Sequence, residues 1–233
     1  MLIDVGLVAG TGLLLGEVGI IVKNKLVRYI NRRSRAGSLS QYELLVGHGN
    51  DGDIVIDMKI VPHVLVAGLS NNGKTKCAEL MLRDKLNVLL INCYQEDFRA
   101  VKNAKRINNI DEIERVLKSI LEENRYYNIP LYICIDEILM LCRNKRINDL
   151  VMQLLAVGRH LNIFVVSIVQ IATKNNLPFK DLHNSRITFK QLEPSAYRVV
   201  IPAIPDGINT DLQQREFICY YQEGIVNGRT YDI

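Results

Sequence analysis

An α/β fold with a mostly parallel sheet, helices on both of its faces and an apolar segment at the N-terminus is what this sequence predicts. Three observations carry the prediction. From about residue 64 onward, short and wholly apolar runs of strand length alternate with longer stretches of helical pattern. Strands that are apolar on both sides belong to parallel sheets covered on both faces. One such run, 64–67, stops at Gly68 and gives way to a small polar loop and then a helix pattern. Another, 131–135, ends in two adjacent acids, Asp136 and Glu137.

The chain has 233 residues, enough for one sizeable core and a short appendage. With 48% apolar and 23% charged residues its composition is that of a globular protein, which excludes a disordered chain. The five cysteines never form CxxC and most lie in apolar runs. They read as reduced thiols acting as small core residues. The four histidines are scattered, so no structural zinc is expected.

The element order follows from the N-terminus. Residues 5–22 form an 18-residue stretch whose one charge is Glu17, close to the lower length of a membrane span. The pairs Gly6/Gly10 and Gly12/Gly16 have the small-xxx-small spacing that packs helices in lipid. Against a span stand Glu17 and five glycines, so an interfacial or soluble element stays open. The six basic residues of KNKLVRYINRRSR, residues 23–35, follow at once. They would mark the cytoplasmic side of a single span. Without them the formal charge of +4 becomes −2, so the remainder is not a body coated in positive charge for non-specific nucleic-acid binding.

The AGSLSQ stretch reads as a linker, dividing the chain into residues 1–40 and a main domain at 41–233. HGNDGD sits between two apolar runs and reads as a hairpin or loop between strands. Strands are then predicted at 64–67, 88–93, 131–135, 163–169, 186–190 and 216–221, with helices at 74–85, 110–126 and 146–161.

Gly68-Leu69-Ser70-Asn71-Asn72-Gly73-Lys74-Thr75 fits G-x-x-x-x-G-K-[ST], with Lys76 next to it in the helix that follows. The chemistry needs these types. Glycine lets the backbone curl so that its N–H groups converge on phosphate, and the helix N-terminus adds the positive end of a dipole. Lys74 is placed to neutralise the β- and γ-phosphates of a nucleoside triphosphate, and Thr75 to give its hydroxyl to Mg²⁺. Asp136 would reach the same Mg²⁺ and Glu137 would polarise the attacking water. Two further residues fit such a site. Gln170 ends the strand VVSIVQ, where it would face the γ-phosphate, although a surface glutamine reads the same way. Arg159, eleven residues earlier, sits near a helix end. It is either an arginine finger for a neighbouring subunit or a partner of the helix dipole.

PHVLVAGLSNNGKT, LYICIDEILML, GRHLNIFVVSIVQ and NSRITFK, in that order, resemble the FtsK/SpoIIIE branch of the FtsK–HerA motor ATPases. The Pro62-His63 pair before the first strand, the Arg159–Gln170 spacing and the Asn184–Phe189 strand all carry the likeness, which covers about residues 50–223. The resemblance implies a RecA-like core that hydrolyses ATP with Mg²⁺ and forms a homo-oligomeric ring, often a hexamer, around double-stranded DNA. It implies Glu137 as catalytic base, Gln170 as sensor and Arg159 as the arginine supplied in trans. Membrane-anchored relatives are common, so a place on the cytoplasmic side of the cell membrane is expected, with a cytoplasmic protein as the alternative. The chain departs from relatives in two places. It reads LSNN where they usually carry threonine, glycine and serine, and Asn92-Cys93-Tyr94 where they often have aspartate-proline-lysine.

The expected function is a stripped DNA translocase of the kind that mobile elements carry. No winged-helix domain follows Ile233, so sequence-directed orientation is not expected. The alternatives are a viral genome-packaging ATPase and an ATP-binding adaptor for a relaxase or replication protein. Lys102, Lys105, Arg106, Lys174 and Lys180 are candidate DNA contacts or solvated charges.

Overall fold

The computed structural model describes residues 39–172 and 179–232. The predicted N-terminal apolar segment and basic cluster, and Lys174, lie outside the described residues. Among the described residues no helix is long and apolar enough to cross a membrane.

Residues 40–232 build one ten-stranded mixed sheet. Strands β1 (Glu43–Gly49) and β2 (Gly52–Asp57) form the hairpin expected at HGNDGD, turning at Asn50-Asp51. Then come β3 (Val64–Ala67), α1 (Lys74–Leu82), β4 (Val88–Ile91), β5 (Ala104–Ile107) and α2 (Ile110–Glu123). These are followed by β6 (Leu131–Ile135), the one-turn helix α3 (Ile138–Leu141), α4 (Lys145–Val157), a 3₁₀ turn at Gly158–Leu161, and β7 (Ile163–Val169). The chain closes with β8 (Ser185–Thr188), α5 (Pro194–Val200), β9 (Glu216–Tyr221) and β10 (Gly224–Arg229).

The strand order is β2-β1-β10-β9-β8-β3-β7-β6-β4-β5. The six strands from β8 to β5 are parallel, as the unbroken apolar runs require. The other four are antiparallel, so the parallel prediction holds for the six strands from β8 to β5 and not for the extension. Short local hairpins account for two of the antiparallel pairings, β1–β2 and β9–β10, because a tight turn can only join antiparallel strands, whereas β8–β9 and β10–β1 pair across long connections.

Alternation along the strands splits the core in two. Leu65 and Ala67 of β3 face a layer made by α2, α3, α4 and α5, whereas Val64 and Val66 face α1 and the β1–β2 hairpin. Helix boundaries follow from caps. Asn109 Oδ1 accepts from the N–H groups of Asp111 (3.0 Å) and Glu112 (3.1 Å) at the start of α2, and Asn144 does the same for Arg146 (3.0 Å) and Ile147 (3.4 Å) in α4.

This topology brings the carboxyl ends of β3, β6, β7 and β8 to one edge. Because β9 runs antiparallel to β8, the start of β9 arrives at that same edge.

Candidate functional site

The loop 68–73 leaves β3 at that edge and ends on Gly73, the N-cap of α1. Its path depends on backbone angles open mainly to glycine. Gly68 has φ 143°, and a Cβ there would lie 2.7 Å from Phe189 Cβ. Gly73 has φ 107°, and its missing Cβ leaves room for Phe189 and Arg215. Asn71, at φ 60°, takes the left-handed conformation that asparagine tolerates, so the LSNN departure keeps the loop's shape. The loop is anchored by Gly68 N–H to Val169 O (3.3 Å) and Leu69 N–H to Lys190 O (2.9 Å).

Lys74 is buried, and its Nζ donates to Leu69 O at 2.9 Å, so the ammonium folds back over the loop. Burial lowers its pKa, and the Glu137 and Asp136 carboxylates oppose that shift. Asp136 is buried at the end of β6. Burial pushes its carboxyl up to about 6, against the hydrogen bond from Glu137 N–H (2.9 Å); Glu137 and Asp97 push the same way as burial, and Lys74 opposes. Asn92 donates its side-chain amide to Asp136 O at 3.1 Å, which gives the departure from aspartate-proline-lysine a structural role beside the acid.

Glu137 sits at φ 49°, a strained angle for this residue type, as N-cap of α3. That turn aims its carboxylate at Gln170, whose Nε2 donates to Glu137 Oε1. Gln170 Oε1 in turn accepts from Ser70 Oγ at 3.2 Å. A hydrogen-bonded line therefore runs from the loop (Ser70) through the end of β7 (Gln170) to the acid after β6 (Glu137).

A cavity of about 330 Å³ opens beside the loop, lined by Asn71, Gly73, Lys74, Thr75, Lys76, Asp97, Gln214 and Arg215. Lys76 is half committed elsewhere, pairing with the buried Glu79 at 2.9 Å. Among the described residues no three acidic, histidine or cysteine side chains converge closely enough to cage a metal alone. Thr75 and Asp136 are hard oxygen donors, and this donor set suits a magnesium ion that brings its remaining ligands with a nucleotide.

The sequence-predicted residues Gly68 to Lys76, Asp136, Glu137 and Gln170 are thus brought together. Arg159 is not among them. It lies exposed in the 3₁₀ turn before β7, at the opposite edge of the sheet, roughly 20 Å away along a seven-residue strand. Arg106 is a structural residue, donating to the carbonyls of Tyr94 (3.1 Å), Asp97 (2.7 Å) and Phe98 (3.1 Å). By pinning that loop it fixes Asp97 at the cavity. Sequence reasoning missed Asp97, Gln214 and Arg215. Asp97 had one usable signal, a loop after a parallel strand, and the other two had none, because strand direction decides where they fall.

No protein-family model matches the chain, and no curated protein does either. Solved structures match in shape. The conjugation coupling protein TcpA of pCW3, with ATPγS, superposes with a TM-score of 0.68 and 18% identity over 83% of this chain and 67% of that one. The cytoplasmic domain of the Thermomonospora curvata type VII secretion ATPase EccC gives 0.67 and 16% over 84% of this chain and 30% of that one, so the present chain spans less than a third of it. The genome packaging NTPase B204 of Sulfolobus turreted icosahedral virus 2, with AMPPCP, gives 0.53 and 15% over 74% of this chain and 99% of that one. At these identities the likeness is one of fold. The chain therefore has the α/β fold that this coupling protein, this secretion ATPase and this packaging NTPase share.

Proposed function

We propose that this protein is an ATP-driven translocase of FtsK type that moves double-stranded DNA, held at the membrane by its N-terminal segment and serving DNA transfer or maintenance of a mobile element. The observation that carries the reading is the Ser70–Gln170–Glu137 line, which joins the phosphate loop to the acid next to Asp136. In that arrangement the loop N–H groups and Lys74 bind the phosphates, and Thr75 and Asp136 hold the cation. Magnesium, when bound, supplies charge neutralisation at the phosphates. Glu137 accepts the proton of the attacking water, and Gln170 orients Glu137 and reports the state of the γ-phosphate to β7. Arg159 belongs to the neighbouring subunit's site in a ring, most simply a hexamer, because the sheet separates it from its own.

A second reading, a viral genome-packaging motor, is favoured by the near-complete coverage of the small packaging NTPase. The test is ATP hydrolysis by the full chain, with and without linear double-stranded DNA, beside Lys74→Ala. Stimulation by DNA that Lys74→Ala abolishes supports a DNA motor. A rate indifferent to DNA removes that reading in favour of an ATP-binding adaptor. Translocation on DNA with free ends against uptake into a capsid separates the two motor readings.

A further inference from the structure

Arg215 occupies an unusual position for a bulky side chain. Its φ is 70°, in the left-handed region that such residues rarely adopt, immediately before β9. Backbone strain of this kind persists only where the surroundings fix it, and here they do. Arg215 N–H donates to Asn72 O at 3.0 Å, Thr230 N–H donates to Arg215 O at 3.0 Å, and Gln214 Nε2 donates to Asn71 O at 3.0 Å. The segment is strapped directly onto the tip of the phosphate loop. The close contact also explains Gly73, since a Cβ there would lie 3.3 Å from Arg215 Cα and 3.5 Å from its Cγ.

The side chain borders the same 330 Å³ cavity as Gly73, Lys74, Thr75 and Lys76, and its guanidinium pairs with Asp232. Both partners reach solvent, Arg215 at 37% and Asp232 at 83%, so the pair is not locked by burial and contributes little as a staple. A guanidinium carried by a residue that borders this loop's cavity can serve as a phosphate ligand, and the carboxylate paired with it is a competing anion.

We propose that Arg215 is a further nucleotide-binding residue, which leaves Asp232 to contact the phosphate chain of the nucleotide held by the loop. The inference rests on the reading of residues 68–75 as a phosphate loop. It makes two predictions of opposite sign. Arg215→Gln weakens the nucleotide, and Asp232→Asn, by removing the competitor, strengthens it. A structural staple would instead be weakened by both changes.

The experiment is calorimetric titration of the full chain with Mg²⁺·AMPPNP and, separately, with Mg²⁺·tripolyphosphate, which has no base or ribose. The expected result is roughly tenfold weaker binding of both probes to Arg215→Gln and about two- to fivefold tighter binding to Asp232→Asn. Weaker binding to both variants overturns the proposal in favour of a staple. Loss confined to AMPPNP, with tripolyphosphate unchanged, overturns it in favour of base or ribose recognition. Unchanged affinity in both variants also overturns it. Thermal unfolding of each variant without nucleotide shows that the fold is intact. Lys74→Ala is the separate control: if wild type and Lys74→Ala bind equally, the phosphate-loop reading itself has failed.

Discussion

At the scale of single residues, Glu137 and the buried histidines make the sharpest predictions. Glu137 is held by Gln170, and glutamine in its place keeps the shape while removing the basic carboxylate, so Glu137→Gln should keep AMPPNP binding within about threefold while lowering ATP hydrolysis by about 10²- to 10⁴-fold. Equal loss of binding and turnover would remove it as the base. His63 and His183 are buried, and burial lowers their pKa values to about 4 and about 3. His63 Nδ1 accepts from Val165 N–H at 3.0 Å, and His183 lies 2.9 Å from Ser167 Oγ. An unfolded chain takes up these protons as pH falls through about 6.5, and the folded chain does not until far lower. The stability these two histidines contribute is therefore complete above about pH 6.5 and is lost as pH falls toward 4. Asp136 works in the opposite sense, since its raised pKa adds stability below about 3.8 that is lost as pH rises through 6. Two histidines outweigh one carboxylate. The urea midpoint should fall between pH 7.5 and pH 5, and His183→Asn should flatten that slope even if it lowers stability at both values. An unchanged slope would contradict the assignment.

Elements carry their own predictions because their ends are built by single residues. Helix α2 is exposed on one side and begins on the Asn109 cap, which satisfies two backbone N–H groups. Asn109→Ala should cost about 1 kcal/mol in urea unfolding without changing hydrolysis per folded molecule. The phosphate loop responds differently. At Gly68 a Cβ meets Phe189 Cβ at 2.7 Å and the φ is unfavourable for any side chain, so Gly68→Ala should both lower the melting temperature and abolish nucleotide binding. Retained binding with a normal melting temperature would show that the loop does not need this close approach to β8. Hydrogen bonds between distant segments also hold the residues before β1. Lys85 Nζ donates to Ser40 O (2.9 Å) and Glu43 O (2.6 Å), and Gln41 bridges Asp84 O and Leu86 N–H, so residues 40–43 are tied to the end of α1.

For the whole molecule the question is where Arg159 acts. β7 separates it from its own phosphate loop, so a role in hydrolysis requires a second copy whose Arg159 edge meets this one's nucleotide edge. Such a contact is head-to-tail and closes only as a ring. Arg159→Ala and Lys74→Ala should each be inactive alone. Mixed, they should regain a measurable part of the wild-type rate, because some interfaces then pair an intact Lys74 with an intact Arg159. No recovery on mixing, with ring assembly confirmed by sedimentation, would reassign Arg159 to the dipole of its own helix turn.

Much of this was legible in the residues. Strands apolar on both faces, a glycine-bounded loop before a lysine and threonine, and paired acids after another strand are local patterns, and local patterns fix local structure. They located β3, β6 and β7, the glycine-bounded loop after β3 and the two acids after β6. Other features belong to the folded chain alone. The Ser70–Gln170–Glu137 line joins residues separated by up to 100 positions, and only the parallel order β3-β7-β6 makes them neighbours. Asp97 faces the cavity because Arg106, on an edge strand too short and too polar to be read as one, pins its loop. Arg215 reaches the phosphate loop because β9 runs antiparallel to β8, which brings the start of a strand, rather than its end, to the binding edge. Composition and spacing determine which segments are strands and loops. The direction and order in which the strands pair depend on burial across the whole sheet, and that decides which distant side chains share a site.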